Sequence, residues 1–244
     1  MAHYSFSLVL LSYIIAVVGS LMALIATRDA LLRPENSRRG LILLAALSLG
    51  GVAIWSMHFI GMLAFDMHGM DMNYNGWLTV LSFVVGVGVV YIGLMIMVLG
   101  KFKLPKLILA GILVGLGVAG MHYTGMLSME VQADSHWNWS LVAVSIGIAI
   151  AAAIVALWLA VHVKHMWQMV ASALVMGVAV CGMHYTGMVA VDFVHNAALP
   201  YVTSMSVTAS VFSLTIATLD AVIIILALAQ ALSESNQRKF HPAQ

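Results

Sequence analysis

The sequence predicts an all-α membrane protein with seven transmembrane helices. Of its 244 residues, 63% are hydrophobic and only 8% are charged, whereas charged residues make up about a quarter of an ordinary soluble domain. The mean hydropathy is +1.05, and the chain contains repeated apolar runs long enough to cross about 30 Å of hydrocarbon. Runs of that length exclude a transmembrane β-barrel. The formal net charge of +1 gives no indication of a nucleic-acid partner.

Polar residues divide the apolar sequence into seven predicted spans. Their bounds are 6–27, 41–64, 77–99, 107–129, 140–162, 169–191 and 205–229. No Lys or Arg precedes the first apolar run, which argues against a cleaved signal peptide and for a retained first span. We therefore expect a seven-helix membrane sensor domain over residues 1–232. Residues 233–244 are expected to form a cytoplasmic tail or the start of a linker to an output domain.

The basic residues predict the orientation of these spans. Every Lys and Arg follows span one, three, five or seven: Arg28, Arg33, Arg38, Arg39, Lys101, Lys103, Lys106, Lys164, Arg238 and Lys239. Basic residues near span ends are retained in the cytoplasm. We therefore expect the N-terminus outside and the C-terminus inside. Acids and the tryptophans of an outer aromatic belt lie on the opposite side.

A Met-His-aromatic-x-Gly-Met motif occurs three times. From His58 to His122 is 64 residues, and from His122 to His184 is 62. Two spans separate successive copies, so spans two, four and six carry the motif in the same direction. The similarity extends to a Gly seven residues before each His, an acid eight residues after it, and a Ser in each preceding span (Ser12, Ser82 and Ser145). The predicted unit is a helical hairpin that is used three times, with a seventh helix added.

Helical geometry relates the residues within each copy. At about 100° per residue, the Met four residues after each His lies about 40° round the helix from it, and the Gly seven residues before lies about 20° away. These residues share one stripe, and the Gly would let a neighbouring helix approach closely. The Met immediately before each His points about 100° away, so it needs a different partner or packs in the core.

The repeated histidines are candidate metal ligands. An ionisable side chain within hydrocarbon is a functional candidate by default, although an interhelical hydrogen bond with methionines as flexible packing is the structural alternative. Imidazole and thioether together select copper, especially Cu(I). Haem, held by His/His or His/Met axial pairs, is the competing cofactor. The candidates on the shared stripes are His58, His122, His184, Met62, Met126 and Met188.

Further residues near the outer surface are possible accessories to this site. Asp66, Glu130 and Asp192 lie about two turns outside the histidines, where carboxylates could attract a cation. The first outer loop also holds Met67, His68, Met70 and Met72. These loop residues either pass copper inward or are ordinary loop residues, and the sequence favours neither reading.

The three copies closely resemble the MHYT family of bacterial membrane sensor domains. The tetrapeptide occurs intact at 121–124 and 183–186, whereas the first copy reads Met-His-Phe-Ile at 57–60. The resemblance implies a sensor that binds copper and, through it, a diatomic gas such as O2, CO or NO, or that responds to redox state. The ligands it implies also include Met57, Met121 and Met183. Tyr123 and Tyr185 are accessory candidates that the first copy lacks, so we expect matched sites on spans four and six and a variant on span two.

The resemblance also implies a location and partners. It places the domain in the bacterial inner membrane as a multi-pass protein, with the bilayer and a gas ligand as partners. A cytoplasmic output domain of the GGDEF/EAL type, acting on cyclic di-GMP, or a kinase is expected in the same or another chain. A homodimer is a further expectation, and no nucleic acid is expected.

The sequence gives less support to two other functional classes. A copper or proton transporter would need polar residues continuing inward, but the inner halves of spans two, four and six are almost wholly apolar. Asp220, within span seven, is the exception, and its position predicts either a structural hydrogen bond or a signalling or proton role. An enzyme is not expected, because the chain has no zinc-protease helix, nucleophile elbow or P-loop.

Overall fold

The computed structural model describes residues 3–66, 72–199 and 205–240. The helices are α1 (Phe6–Leu31), α2 (Arg39–Leu63), α3 (Gly76–Val98), α4 (Leu104–Leu127), α5 (Trp139–His162), α6 (Met166–Val189) and α7 (Ala209–Phe240). All seven are long and apolar enough to cross a membrane, which confirms the predicted fold class. A short 3-10 helix (Glu35–Ser37) lies between α1 and α2.

Local sequence signals set several helix starts. The Asn75 side chain caps α3 by accepting a hydrogen bond from the Leu78 amide, and Asn138 caps α5 in the same way through the amides of Ser140 and Leu141. Asparagine is favoured at this position because it satisfies amides that lack a helical partner. Pro105 lies in the first turn of α4, where its missing N–H costs nothing. α4 accordingly begins at Leu104, three residues before the predicted bound.

The first six helices close into a ring. Each of α1 to α6 packs against the next, and α6 packs back against α1. α7 lies outside this ring, against α1 and α2. Consequently α2 is the most enclosed helix, with 78% of its span buried compared with 28–44% for the other six.

Among the described residues, seven short strands cap one end of the helix bundle, here called the strand end. They are β1 (His3–Tyr4), β2 (Phe65–Asp66), β3 (Asn73–Asn75), β4 (Met129–Glu130), β5 (Ala133–Trp137), β6 (Val191–His195) and β7 (Ser206–Thr208). β1 pairs with β2, β3 with β4, and β5 with β6, always antiparallel. The strand before each odd helix thus pairs with the strand after the next even helix, which confirms the hairpin as the repeated unit. β7 pairs with β3 and so attaches α7 to the second hairpin.

The opposite end, here called the basic end, is joined by polar contacts. The Arg33 guanidinium forms an ion pair with Glu234 of α7, and the Glu35 carboxylate accepts a hydrogen bond from the Gly100 amide at 3.0 Å. Gly100 has φ of +65°, a left-handed conformation that suits glycine at the end of α3. These contacts connect the loop after α1 both to α7 and to the α3–α4 turn.

One helix departs from the repeat. In α2 the ten residues Leu47–Ser56 form a π-helix that ends immediately before Met57, whereas α4 and α6 are α-helical throughout. π-helical turns are rare and frequently occur at functional sites. The irregular copy is therefore the one that α7 covers.

Candidate metal centre

His58, His122 and His184 meet in one cluster, here called the histidine centre. Each is at most 1% exposed. The Nδ1 atom of His58 lies 3.0 Å from Nδ1 of His184 and 3.0 Å from Nδ1 of His122. The ring centroids are 4.7, 5.0 and 5.3 Å apart. The structure thus replaces the expected matched sites on α4 and α6 by a single site shared by three helices.

The Gly of each motif makes room for the imidazole of another copy. A Cβ atom at Gly125 would overlap Nε2 of His58, one at Gly187 would overlap Nε2 of His122, and one at Gly61 would overlap Nε2 of His184. The contacts therefore run in a cycle around the three helices. The motif requires Gly three residues after the His because the neighbouring ring occupies the space of a side chain, a role that sequence reasoning did not assign.

Aromatic residues pack against the three histidines. The rings of Phe59, Tyr123 and Tyr185 each pack edge-on against the preceding His, with centroids 4.7 to 4.8 Å apart. The Tyr185 hydroxyl is hydrogen-bonded to Ser12 of α1 at 3.0 Å, and the Tyr123 hydroxyl to Ser145 of α5 at 2.5 Å. Each tyrosine thus links its motif helix to the next odd helix in the ring.

The first copy forms the equivalent link without a tyrosine. The indole N–H of Trp55 donates to Ser82 of α3 at 2.9 Å. Ser82 aligns with Ser12 and Ser145 in the repeat, so the link is conserved in position although Phe59 has no hydroxyl. Phe59 instead packs edge-on against Phe212 of α7, at 4.8 Å. The departure from the motif therefore coincides with the contact to the seventh helix.

All six motif methionines are buried, at most 4% exposed. Met121 packs against Gly86 of α3, and Met183 lines a cavity described below. Both directions agree with the angle of about 100° between each of these methionines and the following His. Met62, Met126 and Met188, four residues after the histidines, share the stripe of the histidines and are the sulfur candidates on that face.

The predicted accessory acids lie on the strands. Asp66 is opposite His3, Glu130 opposite Asn73, and Asp192 opposite His136 in the strand pairs. Glu130 accepts a hydrogen bond from the Ser206 hydroxyl at 2.5 Å and one from the Asn75 amide at 3.4 Å. Glu130 therefore connects β4 to β7 and to the start of α3, so these contacts are structural.

The other predicted accessories fall in or beside the first strand-end loop. Met67, His68 and Met70 lie outside the described residues. The Met72 sulfur accepts a hydrogen bond from the Tyr74 hydroxyl at 3.0 Å. Burial raises the pKa of Tyr74 above its ordinary value, and burial together with the nearby Tyr185 raises the pKa of Tyr4 to about 12.

Asp220 connects α7 to the first motif helix. Its carboxylate accepts a hydrogen bond from the Ser56 hydroxyl at 2.6 Å, and Asp220 is 5% exposed. Ser56 is the last residue of the π-helix and lies two residues before His58. The second and third copies have Gly120 and Gly182 at this position, so the link exists only in the copy next to α7.

The donor set fits a metal ion. The three histidines form a group whose ligand atoms lie within 4.8 Å of one another. Imidazole nitrogens lie about 2.0–2.1 Å from a tetrahedral zinc ion, which separates two such ligands by about 3.3 Å. The observed 3.0 Å separations are close to that value. Three converging histidines leave a fourth position open.

The hydrogen bonding of the cluster also favours a cation. Each neutral imidazole carries one N–H donor and one lone pair. In the part of the chain that the structure describes, the three Nε2 atoms have no hydrogen-bond partner, and the hydrogen-bond contacts between the rings join Nδ1 atoms. A cation between the Nδ1 atoms would bind three lone pairs at once and would leave the proton of each neutral ring on Nε2.

The repeat, the seven spans and the histidine centre define a membrane domain with an internal threefold site. The family profile described as "Bacterial signalling protein N terminal repeat", MHYT, matches residues 51–110, 115–173 and 177–241. The chain belongs to this MHYT family. It is a multi-pass membrane sensory domain of signalling proteins.

The family repeats and the structural repeats are offset by one helix. Each matched segment begins near the Gly seven residues before the His and continues through the following helix, so α7 falls in the third segment and α1 in none. In the structure, α1 takes the place beside α6 that α3 takes beside α2, as the Ser12–Tyr185 contact shows. The ring of six helices therefore closes without α7.

Several curated proteins are similar to this chain. The bifunctional diguanylate cyclase/cyclic di-GMP phosphodiesterase MucR of Pseudomonas aeruginosa is 34% identical over 79% of this chain and 28% of its own length. The cyclic di-GMP phosphodiesterase NbdA of the same organism is 34% identical over 77% of this chain and 24% of its own. The signaling protein YkoW of Bacillus subtilis is 31% identical over 81% and 25%. The chain thus spans about a quarter of each relative, and no solved structure is significantly similar to it.

Proposed function

We propose that the histidine centre binds one copper ion and that the domain senses a diatomic gas such as O2, CO or NO, or redox state, through it. The observation that carries this proposal is the convergence of three buried Nδ1 atoms from three repeats. Imidazole with thioether is the donor set that selects copper, especially Cu(I). Three His ligands would leave one coordination position of the ion open. The chemistry that the ion would supply is the binding of a diatomic molecule at that position.

The geometry favours copper over the alternative cofactor, haem. Two axial ligands of a haem lie on opposite faces of the porphyrin. Nitrogen atoms 3.0 Å apart leave no space for a macrocycle between them. The methionines proposed as additional ligands are Met62, Met126 and Met188, because they share the stripe of the histidines. Met57, Met121 and Met183 point elsewhere round the helices and fit packing better.

A transport function has less support. A copper or proton conduit needs polar groups leading away from the centre. The side chains one helical turn towards the basic end are Ile54, Val118 and Val180, and all three line an apolar cavity. The inner side of the centre therefore lacks the ligands that a hydrated ion would follow.

We infer that α7 carries the signal. The Ser56–Asp220 hydrogen bond and the Phe59–Phe212 contact connect α7 to the residues on either side of His58. Movement of His58 on ligand binding would displace these contacts and favour a second position of α7. With the N-terminus outside, as the basic residues predict, the end of α7 lies in the cytoplasm. The relatives named as cyclic di-GMP enzymes support an output module of the GGDEF/EAL type.

Infrared and spin-label measurements test both parts of the proposal. In copper(I)-loaded protein in lipid nanodiscs, CO should give a C–O stretching band that His122→Ala abolishes. Spin labels at Leu32→Cys and Leu232→Cys, in a Cys181→Ser background, should change their distance when CO is added. Ser56→Ala should keep the infrared band but lose the distance change, whereas Ser213→Ala, on the exposed face of α7, should keep both. Absence of a C–O band would overturn the gas-binding proposal, and an unchanged distance in the parent protein would overturn the role of α7.

A further inference from the structure

A cavity of about 340 Å³ lies between α2, α3, α4, α5 and α6. Its walls are aliphatic side chains, alanines and the side chains of Met176 and Met183. A run of alanines on α5, including Ala149, Ala153 and Ala156, leaves the space open because these side chains are too short to fill it. The lining is almost wholly apolar, and an ordered water needs at least two polar partners, so the cavity is dry.

The cavity lies directly below the histidine centre, towards the basic end. Ile54, Val118 and Val180 line it, and each is four residues before a motif His. One helical turn of four residues rises about 6 Å. The cavity thus begins about one turn from all three histidines and extends along the same three helices. Met183, which also lines it, is the residue next to His184.

The cavity opens sideways between α5 and α6. Val155 of α5 and Val175 of α6 both line it, and they are 47% and 58% exposed. Both lie in the middle part of membrane-spanning helices, so their exposed sides face the hydrocarbon of the bilayer. The histidines themselves are at most 1% exposed. The structure therefore has an apolar path from the lipid to the underside of a centre that is closed to water.

We propose that this cavity binds small apolar molecules dissolved in the bilayer and delivers them to the histidine centre. Transfer of apolar molecules from water into hydrocarbon is favourable, so the bilayer concentrates them at the depth of the opening. A dry apolar cavity of about 150 Å³ is large enough for xenon or benzene, and this one is about twice that size. The ligand class is a small neutral molecule without hydrogen-bonding requirements, such as a diatomic gas. The delivery step rests on the proposed function, whereas the binding step does not.

Xenon tests the binding step in metal-free protein. In nanodiscs, xenon pressure should shift the methyl NMR signals of Ile54, Val118 and Val180 in a saturable manner. Ala153→Phe fills the cavity and should abolish these shifts, and Ala156→Leu is the milder variant if the first does not fold. Ala143→Phe, on the exposed face of α5 and outside the lining, is the matched control and should leave the shifts unchanged.

Two outcomes of the xenon experiment contradict the proposal. If the native protein shows no saturable shifts, the cavity does not bind apolar solutes. If shifts occur in detergent but not in nanodiscs, a lipid acyl chain fills the cavity in the bilayer. Either result overturns the proposal whether or not the protein binds copper.

Carbon monoxide tests the delivery step in copper(I)-loaded protein. Flash photolysis should show CO rebinding at least tenfold more slowly in Ala153→Phe than in Ala143→Phe, with equal copper content. Equal rates would overturn the delivery step. If copper does not bind at all while xenon does, the proposed function fails and the apolar binding site remains.

Discussion

Replacing Gly125 with alanine adds one methyl group where the structure has an imidazole edge. The new Cβ would lie closer than 3.0 Å to Nε2 of His58, a contact that real Cβ atoms essentially never show. The ring would have to retreat by about 1 Å to reach an ordinary contact distance of about 3.5 Å. Metal–ligand distances tolerate only about 0.2 Å. We therefore expect metal affinity to fall at least 10- to 100-fold, the loss typical when the support of a ligand is removed, with overpacking destabilising the fold by about 1–3 kcal/mol.

Gly120→Ala is the matched control, because it lies on the same helix and a Cβ there meets nothing within 4 Å. Both substitutions gain about 0.5–1 kcal/mol of helix propensity, so any difference between them reports the contact with His58. Copper titration against a competing chelator gives the affinity, and thermal unfolding in detergent gives the stability. If Gly125→Ala binds copper as tightly as Gly120→Ala, the packing of imidazole against the motif glycine does not hold the site.

Three further perturbations test the surrounding structure. Tyr123→Phe should destabilise the fold by about 1 kcal/mol, because it removes the hydrogen bond to Ser145. Phe59→Tyr should not increase stability, because Ser82 already accepts a hydrogen bond from Trp55. Equal changes in stability in the two variants would contradict the equivalence of the Tyr123–Ser145 and Trp55–Ser82 hydrogen bonds. Asp220→Leu should destabilise the protein by about 1–3 kcal/mol by leaving the buried Ser56 hydroxyl unpaired, and a neutral result in chemical denaturation would refute that link. Because burial raises the pKa of Tyr4 to about 12, the unfolded chain loses the Tyr4 proton at a lower pH than the folded protein. Stability should therefore fall as pH rises from 10 to 12. Tyr4→Phe should reduce this dependence of stability on pH, and an unchanged dependence would refute the role of Tyr4.

Hydrophobic run length was sufficient to predict the helices, because crossing the bilayer requires about 20 apolar residues whatever the tertiary packing. The strands could not be predicted, since segments such as Phe65–Asp66 are too short to show an alternating pattern. They arise from the pairing of hairpin ends that only the closed ring brings together. The start of α7 lies at Ala209 and not at the predicted 205 for the same reason, because 206–208 pair with β3.

The sequence predicted the three histidines as candidate ligands, but it did not predict that they meet in one cluster. The repeated motif, at spacings of 64 and 62 residues, indicated that His58, His122 and His184 are equivalent. The angular argument, however, gives only the stripe on each helix and not which stripes meet. For the same reason the sequence did not predict the hydrogen bond of Trp55, because its partner Ser82 lies on another helix. The aligned serines of α1, α3 and α5 were the available signal for these links, and they gained a meaning only when the neighbouring helices were known.

The central claim is that three repeats build one metal centre. Copper content per chain, measured by elemental analysis of protein isolated without chelator, tests it most directly in the native protein and in His58→Ala, His122→Ala and His184→Ala. A shared centre predicts one copper per chain, lost almost completely in each single variant, with His136→Ala, in a strand outside the centre, keeping its full content. Three copper ions per chain that fall by one third in each variant, or a content unaffected by the substitutions, would contradict the claim.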